Sequence, residues 1–424
     1  MNLLLKSATI IDNSSPFHLQ IKDLLIENGT ITKIGEKLKN TKNYKEIEFD
    51  NLHISQGWFD SSVCFGEPGF EERETIENGL ITASISGFTA VAVNPNTYPA
   101  TDNKSAIQFL KNKASNSATA LYPIGNLTKG GKSEDIAELY DMQNAGAIAF
   151  GDYNKAISNA NLLKIGLQYA QNFDALILSF PQDNPTAGIG LVNEEINSTK
   201  LGLKGIPALS EELQIVRDLF LLEYTGGKLH IPTISTAKSV ELIKEAKKKK
   251  LNVTCSVAAH HLVLTDDELS TFNSNTKVLP PLRTLKDLKA LIKGIKEGVI
   301  DMVTSDHNPI DIEHKKVEYN HAKFGTIGLE SLFGALNKTI GLETLIDCLT
   351  TKPRERFSVP TYSIAEGQQA NITLFNPNFD YIFKENNILS TSKNAIFMNK
   401  NLNGKVYGII SNNKMVALEE RIER

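Results

Sequence analysis

The chain reads as an α/β protein, a (β/α)8 (TIM) barrel carrying a small β-sandwich built from both termini. Three observations predict this. Short β-branched runs alternate with longer helical patterns through the middle of the chain, the signature of parallel β/α units. Eight such runs occur, near residues 52–60, 88–94, 119–124, 147–151, 175–180, 228–234, 252–257 and 301–305, and eight is the number that closes a barrel. The third observation is size, since 424 residues at 41% apolar can bury more core than one small domain holds.

Taken in order, residues 1–51 read as short strands with a turn at Glu27-Asn28-Gly29 and form the first part of the sandwich. Residues 52–358 form the barrel, with helix-forming stretches such as 237–250 between its strands. Residues 359–424 return to strand-and-turn text, in Gly367-Gln368-Gln369-Ala370-Asn371-Ile372-Thr373-Leu374-Phe375 and Asn403-Gly404-Lys405-Val406, and complete the sandwich. The lysine run 247–250 closes a predicted helix, where cations suit the dipole, so it reads as a solvated helix end rather than an anion site.

Charge and composition narrow the function classes. With 45 basic and 49 acidic residues the formal charge is -4, which gives no overall field for nucleic acid or anionic membrane. The apolar run in Met1-Asn2-Leu3-Leu4-Leu5-Lys6-Ser7 is too short for a signal peptide, and no later stretch approaches the roughly 18 apolar residues of a membrane span. A cytoplasmic protein with small-molecule or protein partners is expected. Cys64, Cys255 and Cys348 are far apart and odd in number, so they form neither a disulfide framework nor a Cys-x-x-Cys knuckle.

Chemistry in such barrels sits at the C-terminal strand ends, and there this chain places Ser62, Cys64, Asn96, Tyr153, Phe180, Thr233 and Asp306. The segment Gly57-Trp58-Phe59-Asp60-Ser61-Ser62-Val63-Cys64-Phe65-Gly66-Glu67-Pro68-Gly69 resembles the opening signature of dihydroorotases, members of the amidohydrolase superfamily, in which Asp-x-His-x-His-x-Arg precedes Glu-Pro-Gly. Gly87-Phe88-Thr89, Asn94-Pro95-Asn96-Thr97, Pro123-Ile124-Gly125-Asn126-Leu127-Thr128-Lys129-Gly130, 200–207, His260-His261-Leu262, Pro280-Pro281-Leu282-Arg283 and Thr304-Ser305-Asp306-His307 extend the resemblance over nearly the whole chain. They point to the long, aspartate-transcarbamoylase-associated type.

The resemblance implies a zinc site, and this chain departs from it residue by residue. Ser62 and Cys64 stand where the first two histidines would be, Tyr153 where a bridging acid would be, and Phe180 and Thr233 where two more histidines would be. Only Asp306 matches an expected ligand and proton-shuttling base, and it reads as a remnant. A one-residue shift would make Asp152 the match instead of Tyr153. Gly66 replaces a substrate-binding arginine, Leu279 an asparagine and Ile310 a histidine, whereas Asn96, Arg283 and His307 remain as candidate substrate contacts.

Magnitude decides what this means. Zinc lowers the pKa of bound water from about 15.7 to about 7, on the order of 12 kcal/mol in the cost of making hydroxide. One positioned carboxylate supplies a factor of only roughly 10² to 10⁴. Cys64 reads as a buried thiol rather than a nucleophile, because no histidine is assigned beside it. His230, by alternation from Thr233, is expected to point away from the barrel interior as a structural histidine, and His260, His261 and His307 to pack in strand-end loops. Cys255 reads as a small core residue.

The sequence therefore predicts a dihydroorotase-like protein that keeps the fold without zinc, with Tyr153 and Phe180 plugging the mouth. It would act as a non-catalytic partner of aspartate transcarbamoylase and as a homo-oligomer. Two alternatives stand beside this one. In the first, the chain is a working dihydroorotase or other cyclic amidase with zinc on a rearranged set of Asp306, Asp152 and Cys64, with Cys255 a further recruit. In the second, it is a small-ligand binder using Asn96, Arg283 and His307.

Overall fold

The structure is a computed structural model that describes residues 1–418. Residues 419–424, the end of the second sandwich segment, lie outside the described residues. Eight parallel strands follow one another round a barrel in chain order: Trp58–Val63, Phe88–Val93, Ala120–Gly125, Ala149–Phe150, Leu176–Leu178, Lys228–Ile231, Val253–Ala258 and Met302–Thr304. The expected strands are all present. The eighth meets the first through the Val63–His307 bridge and the Cys64 amide on the His307 carbonyl at 2.7 Å.

The barrel has an inner and an outer apolar layer, as the pleat of each strand requires. Phe59, Ala90, Ala92, Leu176, Met302 and Phe357 fill the interior. Val91, Ile177, Leu229 and Val257 face outward onto the helices. Helix Ala237–Lys248 ends in the lysine run, and Lys247, Lys248 and Lys249 pair with Asp301, Glu245 and Glu223.

The termini share one eight-stranded sheet with its own core of Leu3, Leu5, Ile10, Leu24, Ile26, Ile54 and Ile372. Its edge strand Thr30–Gly35 returns to residues 367–370 through the Thr30–Gln369 bridge, so the sheet wraps round the core as a small sandwich. The turn at Asn28 and Gly29 has φ of 51° and 77°, the left-handed pair that a tight hairpin needs.

Three details differ from the sequence reading. The run 52–60 is two strands: His53–Gln56 pairs with Leu3–Ile11 and Ile372–Ile382 in the terminal sheet, and the barrel begins at Trp58. Gly57 is the crossing point, and a Cβ there would lie 2.1 Å from the Thr89 hydroxyl. Residues 403–406 lie inside strand Asn401–Ser411, and the turn is at Asn412 and Asn413, both with positive φ. Within the C-terminal segment, Phe383, Ile388, Ile396 and Phe397 leave the sheet and pack on barrel loops at Leu264, Val278 and Leu282.

Candidate functional site

Strand geometry brings the expected positions to one mouth. Ser62 is the penultimate residue of the first barrel strand and Cys64 follows that strand directly. Asn96, Tyr153, Phe180, Thr233 and Asp306 lie two or three residues beyond the second, fourth, fifth, sixth and eighth strands. Tyr153, Thr233 and Asp306 have left-handed φ of 58°, 48° and 49°, uncommon outside glycine and especially so for β-branched threonine.

What these side chains leave is a cavity of about 20 Å³, lined among others by Ser62, Asn94, Tyr153, Phe180, Leu279 and Asp306. That is room for about one water, whereas small-molecule sites run to roughly 300–1,000 Å³. Asn94 Nδ2 donates to Ser62 Oγ at 3.0 Å and reaches Cys64 Sγ at 3.7 Å. Burial, with the nearby Asp306 carboxyl adding to it, pushes the Cys64 thiol up to about 12, so without a metal it stays a thiol at neutral pH and is not a thiolate nucleophile. Burial likewise holds the Tyr153 hydroxyl well above its ordinary value.

Asp306 is buried, and among the described residues no group donates a hydrogen bond to its carboxyl. Burial first, and the Asp60 charge second, raise it well above the usual carboxylate range. A carboxyl whose folded value exceeds its unfolded one contributes fully while both states are protonated, and that contribution is lost as pH rises from about 4 through the folded value. Asp306→Asn removes the titration. The variant is expected to melt higher than the parent at pH 8, with the advantage shrinking toward pH 4 in a calorimetric series. A lower melting point at pH 8 would show that the ionised carboxylate stabilises the fold.

The remaining candidates are dispersed. Arg283 is buried with its guanidinium on Ser235 Oγ at 3.0 Å, Asn193 Oδ1 at 2.8 Å and the Ile206 carbonyl at 2.8 Å, with Glu211 at 3.9 Å. His307 Nδ1 accepts the Gly328 amide at 3.2 Å, its ring lies edge-on to Phe65, and burial lowers it to about 4. Asn96 stands near Cys64 with its Oδ1 buried and unpartnered. Asn96, Arg283 and His307 are thus not brought to one pocket. The Asp152 carboxylate turns away to Asn126 Nδ2 and the Thr128 amide, both at 3.1 Å, and to the Thr128 hydroxyl. Cys255 faces the outer helical layer. Neither can join Cys64 and Asp306, and among the described residues no group of three or more His, Cys, Asp or Glu side chains is placed to hold a metal ion.

Gly66 can carry no side chain where it stands, because a Cβ would lie 1.8 Å from the Phe70 carbonyl oxygen. The loop has closed over the place where the arginine would start. His261 packs through Nε2 on the Pro280 carbonyl at 3.1 Å. His230 corrects the alternation argument, for it points into the barrel, lines the cavity and lies edge-on to Phe357. Its ring nitrogens meet Thr254 Oγ1 at 2.9 Å and Ser256 Oγ at 3.2 Å, and burial lowers it well below its usual value. Alternation failed because Thr233 lies past the strand end in a left-handed turn, which resets the side-chain direction.

Sequence reasoning passed over Asp60. Its carboxylate accepts the Ser62 amide at 3.1 Å, the Ser305 amide at 3.0 Å and the Thr304 hydroxyl, stitching the first strand to the eighth. The available signal was its place as the first acid of the quoted motif.

A (β/α)8 barrel with its site at the C-terminal strand ends, beside a sheet made from both termini, defines an amidohydrolase-type protein. A family model described as Dihydro-orotase-like matches residues 53–239. The dihydroorotase of Acetivibrio thermocellus is 36% identical over 99% of both chains, and that of Pelotomaculum thermopropionicum is 37% identical over the full length of both. The chain belongs to the dihydroorotase family. Among solved structures, the L-hydantoinase (dihydropyrimidinase) from Arthrobacter aurescens shares the fold, with a TM-score of 0.85 over 98% of this chain and 96% of that one at 20% identity. No helix among the described residues is long and apolar enough to cross a membrane.

Proposed function

We propose that this chain is a dihydroorotase-like protein of pyrimidine biosynthesis that has lost zinc-dependent ring hydrolysis and serves as a non-catalytic partner of aspartate transcarbamoylase. The observation that carries the loss of hydrolysis is the mouth itself. Serine, cysteine, tyrosine, phenylalanine and threonine occupy the expected ligand positions, and all of them but the cysteine line a cavity of about 20 Å³. Zinc sites use three or four Cys, His or carboxylate ligands, and the residues here do not fit that requirement. At the expected positions Cys64 and Asp306 are the donors of a type zinc accepts, two where three are needed, and His230, which also lines the cavity, holds its ring nitrogens on Thr254 and Ser256. The rearranged-metal reading loses Asp152 and Cys255 to other contacts, and the ligand-binding reading loses Arg283 to its network with Asn193 and Ser235.

The partner role rests on the resemblance to the aspartate-transcarbamoylase-associated type, because a scaffold needs the folded surface and not the pocket. The protein dialysed against zinc is expected to retain essentially none by plasma mass spectrometry, and to hydrolyse dihydroorotate no faster than buffer. Stoichiometric zinc with turnover would overturn the loss of catalysis. Tagged chain is expected to retain the same organism's aspartate transcarbamoylase on affinity resin, and failure to do so at micromolar concentrations would remove the partner assignment alone.

A further inference from the structure

A cleft of about 30 Å³ lies where the terminal sheet meets the barrel, and it shares no residue with the mouth. Its walls come from both bodies: Asp12 and Ser14 just past strand Leu3–Ile11, Gln56 at the end of strand His53–Gln56, and Glu343, Asp347 and Thr350 on or just past the barrel helix Leu342–Leu349. The volume has room for one small ion or water and excludes an organic ligand. Gln56 is 7% exposed, and its amide is pinned, because Nε2 donates to Asp12 Oδ1 at 2.9 Å and to Ser14 Oγ at 3.0 Å. A carboxylate only accepts, so it must face the amide nitrogen. Oε1 is thereby left to the cleft, buried, and among the described residues no donor reaches it.

The groups facing Gln56 also offer acceptors. The Thr350 hydroxyl donates to the Ile346 carbonyl at 2.7 Å and keeps only lone pairs for anything else. Glu343 and Asp347 stand one turn apart on one helix face, where like charges destabilise each other. Lys352 pairs with Asp347 Oδ2 at 2.8 Å and leaves Oδ1, and no base is among the residues lining the cleft. Asp12 is not a further ligand, because Ser14, Gln56 and the Ile364 amide at 2.8 Å already fill its two oxygens. We propose that this cleft binds one hard divalent cation, calcium or magnesium, on Gln56 Oε1, Glu343, Asp347 and Thr350 Oγ1, with water completing the shell. The donors are all oxygen, with no nitrogen or sulfur, which suits hard cations rather than zinc or copper. Two carboxylates place the site at the weak end of oxygen sites, with a Kd on the order of 10⁻⁴–10⁻³ M. The ion ties the terminal sheet, through Gln56, to the barrel helix.

The test uses the full chain and terbium, a luminescent hard cation of calcium's size, and does not depend on whether the barrel mouth is catalytic. Trp58, the only tryptophan, lies two residues from Gln56 and in one apolar cluster with Ile11, which lines the cleft, so its excitation reports an ion held there. Terbium is expected to give saturable tryptophan-sensitised emission that millimolar calcium or magnesium displaces, and the displacing salt is expected to raise the melting temperature. Whichever of the two displaces at lower concentration is the ion the cleft selects. Glu343→Gln with Asp347→Asn should weaken terbium binding by roughly tenfold or more, because ligand charge sets affinity at oxygen sites, and should abolish the rise in melting temperature. If the double variant loses its far-ultraviolet circular dichroism, Glu343→Gln alone, on an exposed side chain, is expected to weaken binding by about threefold or more. Absence of sensitised emission would mean that the cleft holds water only, and emission that neither salt displaces would mean an adventitious ion only. Either result, a melting temperature indifferent to both salts, or an affinity unchanged by the substitutions overturns the proposal.

Discussion

Replacing Asp60 by alanine is expected to cost about 3–5 kcal/mol, as loss of one partner in a buried charged network does. Its carboxylate is fully buried and is the side chain on which three donors from both sides of the barrel seam converge: the Ser62 amide, the Ser305 amide and the Thr304 hydroxyl. Alanine takes the carboxylate away from both amides in a dry interior and leaves the Thr304 hydroxyl with only its longer contact to the Ser62 carbonyl at 3.2 Å. Trp58, the only tryptophan and buried two residues away, reports the seam by its fluorescence. The expected result is a melting temperature lower by about 3–6 °C for a chain of this length, with Asp60→Asn between parent and alanine, since an amide keeps one acceptor and turns a donor toward the others. A shift of under about 2 °C in the alanine variant would mean that the Val63–His307 bridge and its backbone contacts close the barrel unaided.

The second large effect concerns the plug. Phe180→Ala is expected to destabilise by about 3–5 kcal/mol, the range for removing a fully packed phenylalanine. Phe180 is 4% exposed and closes the cavity together with Leu178, Pro232 and Leu279. Were it the wall of an open, wet substrate site, truncation would fall near the roughly ±0.5 kcal/mol of a surface change. Thermal unfolding of parent and variant separates the two, and a near-neutral result would argue that the mouth opens in solution. The prediction joins fold to function: a family that needs an open polar pocket for catalysis is represented here by a chain that uses the same positions for packing.

Much of this was legible in the sequence. The eight barrel strands, the helix ending in the lysine run and the Asn28-Gly29 hairpin follow from hydrophobic period and turn chemistry, which act over a few residues. Family membership followed from ordered motifs, and the ligand positions followed from matching them. The directions of individual side chains did not. His230 was read outward because strand alternation was carried past the strand end, where the left-handed Thr233 breaks it. Gly57 hid the division of one apolar run between two sheets, since sheet membership is decided by partners far along the chain. The sequence by itself determined the barrel, the terminal sheet and which residue types reach the mouth. Only the tertiary structure decided that Asp152 turns to the Thr128 loop, that Arg283 is spent on Asn193 and Ser235, and that Asp60 seals the seam. The physical reason is range: backbone period and turn preference are local, whereas burial and the choice of hydrogen-bond partner depend on what distant segments bring within 3 Å.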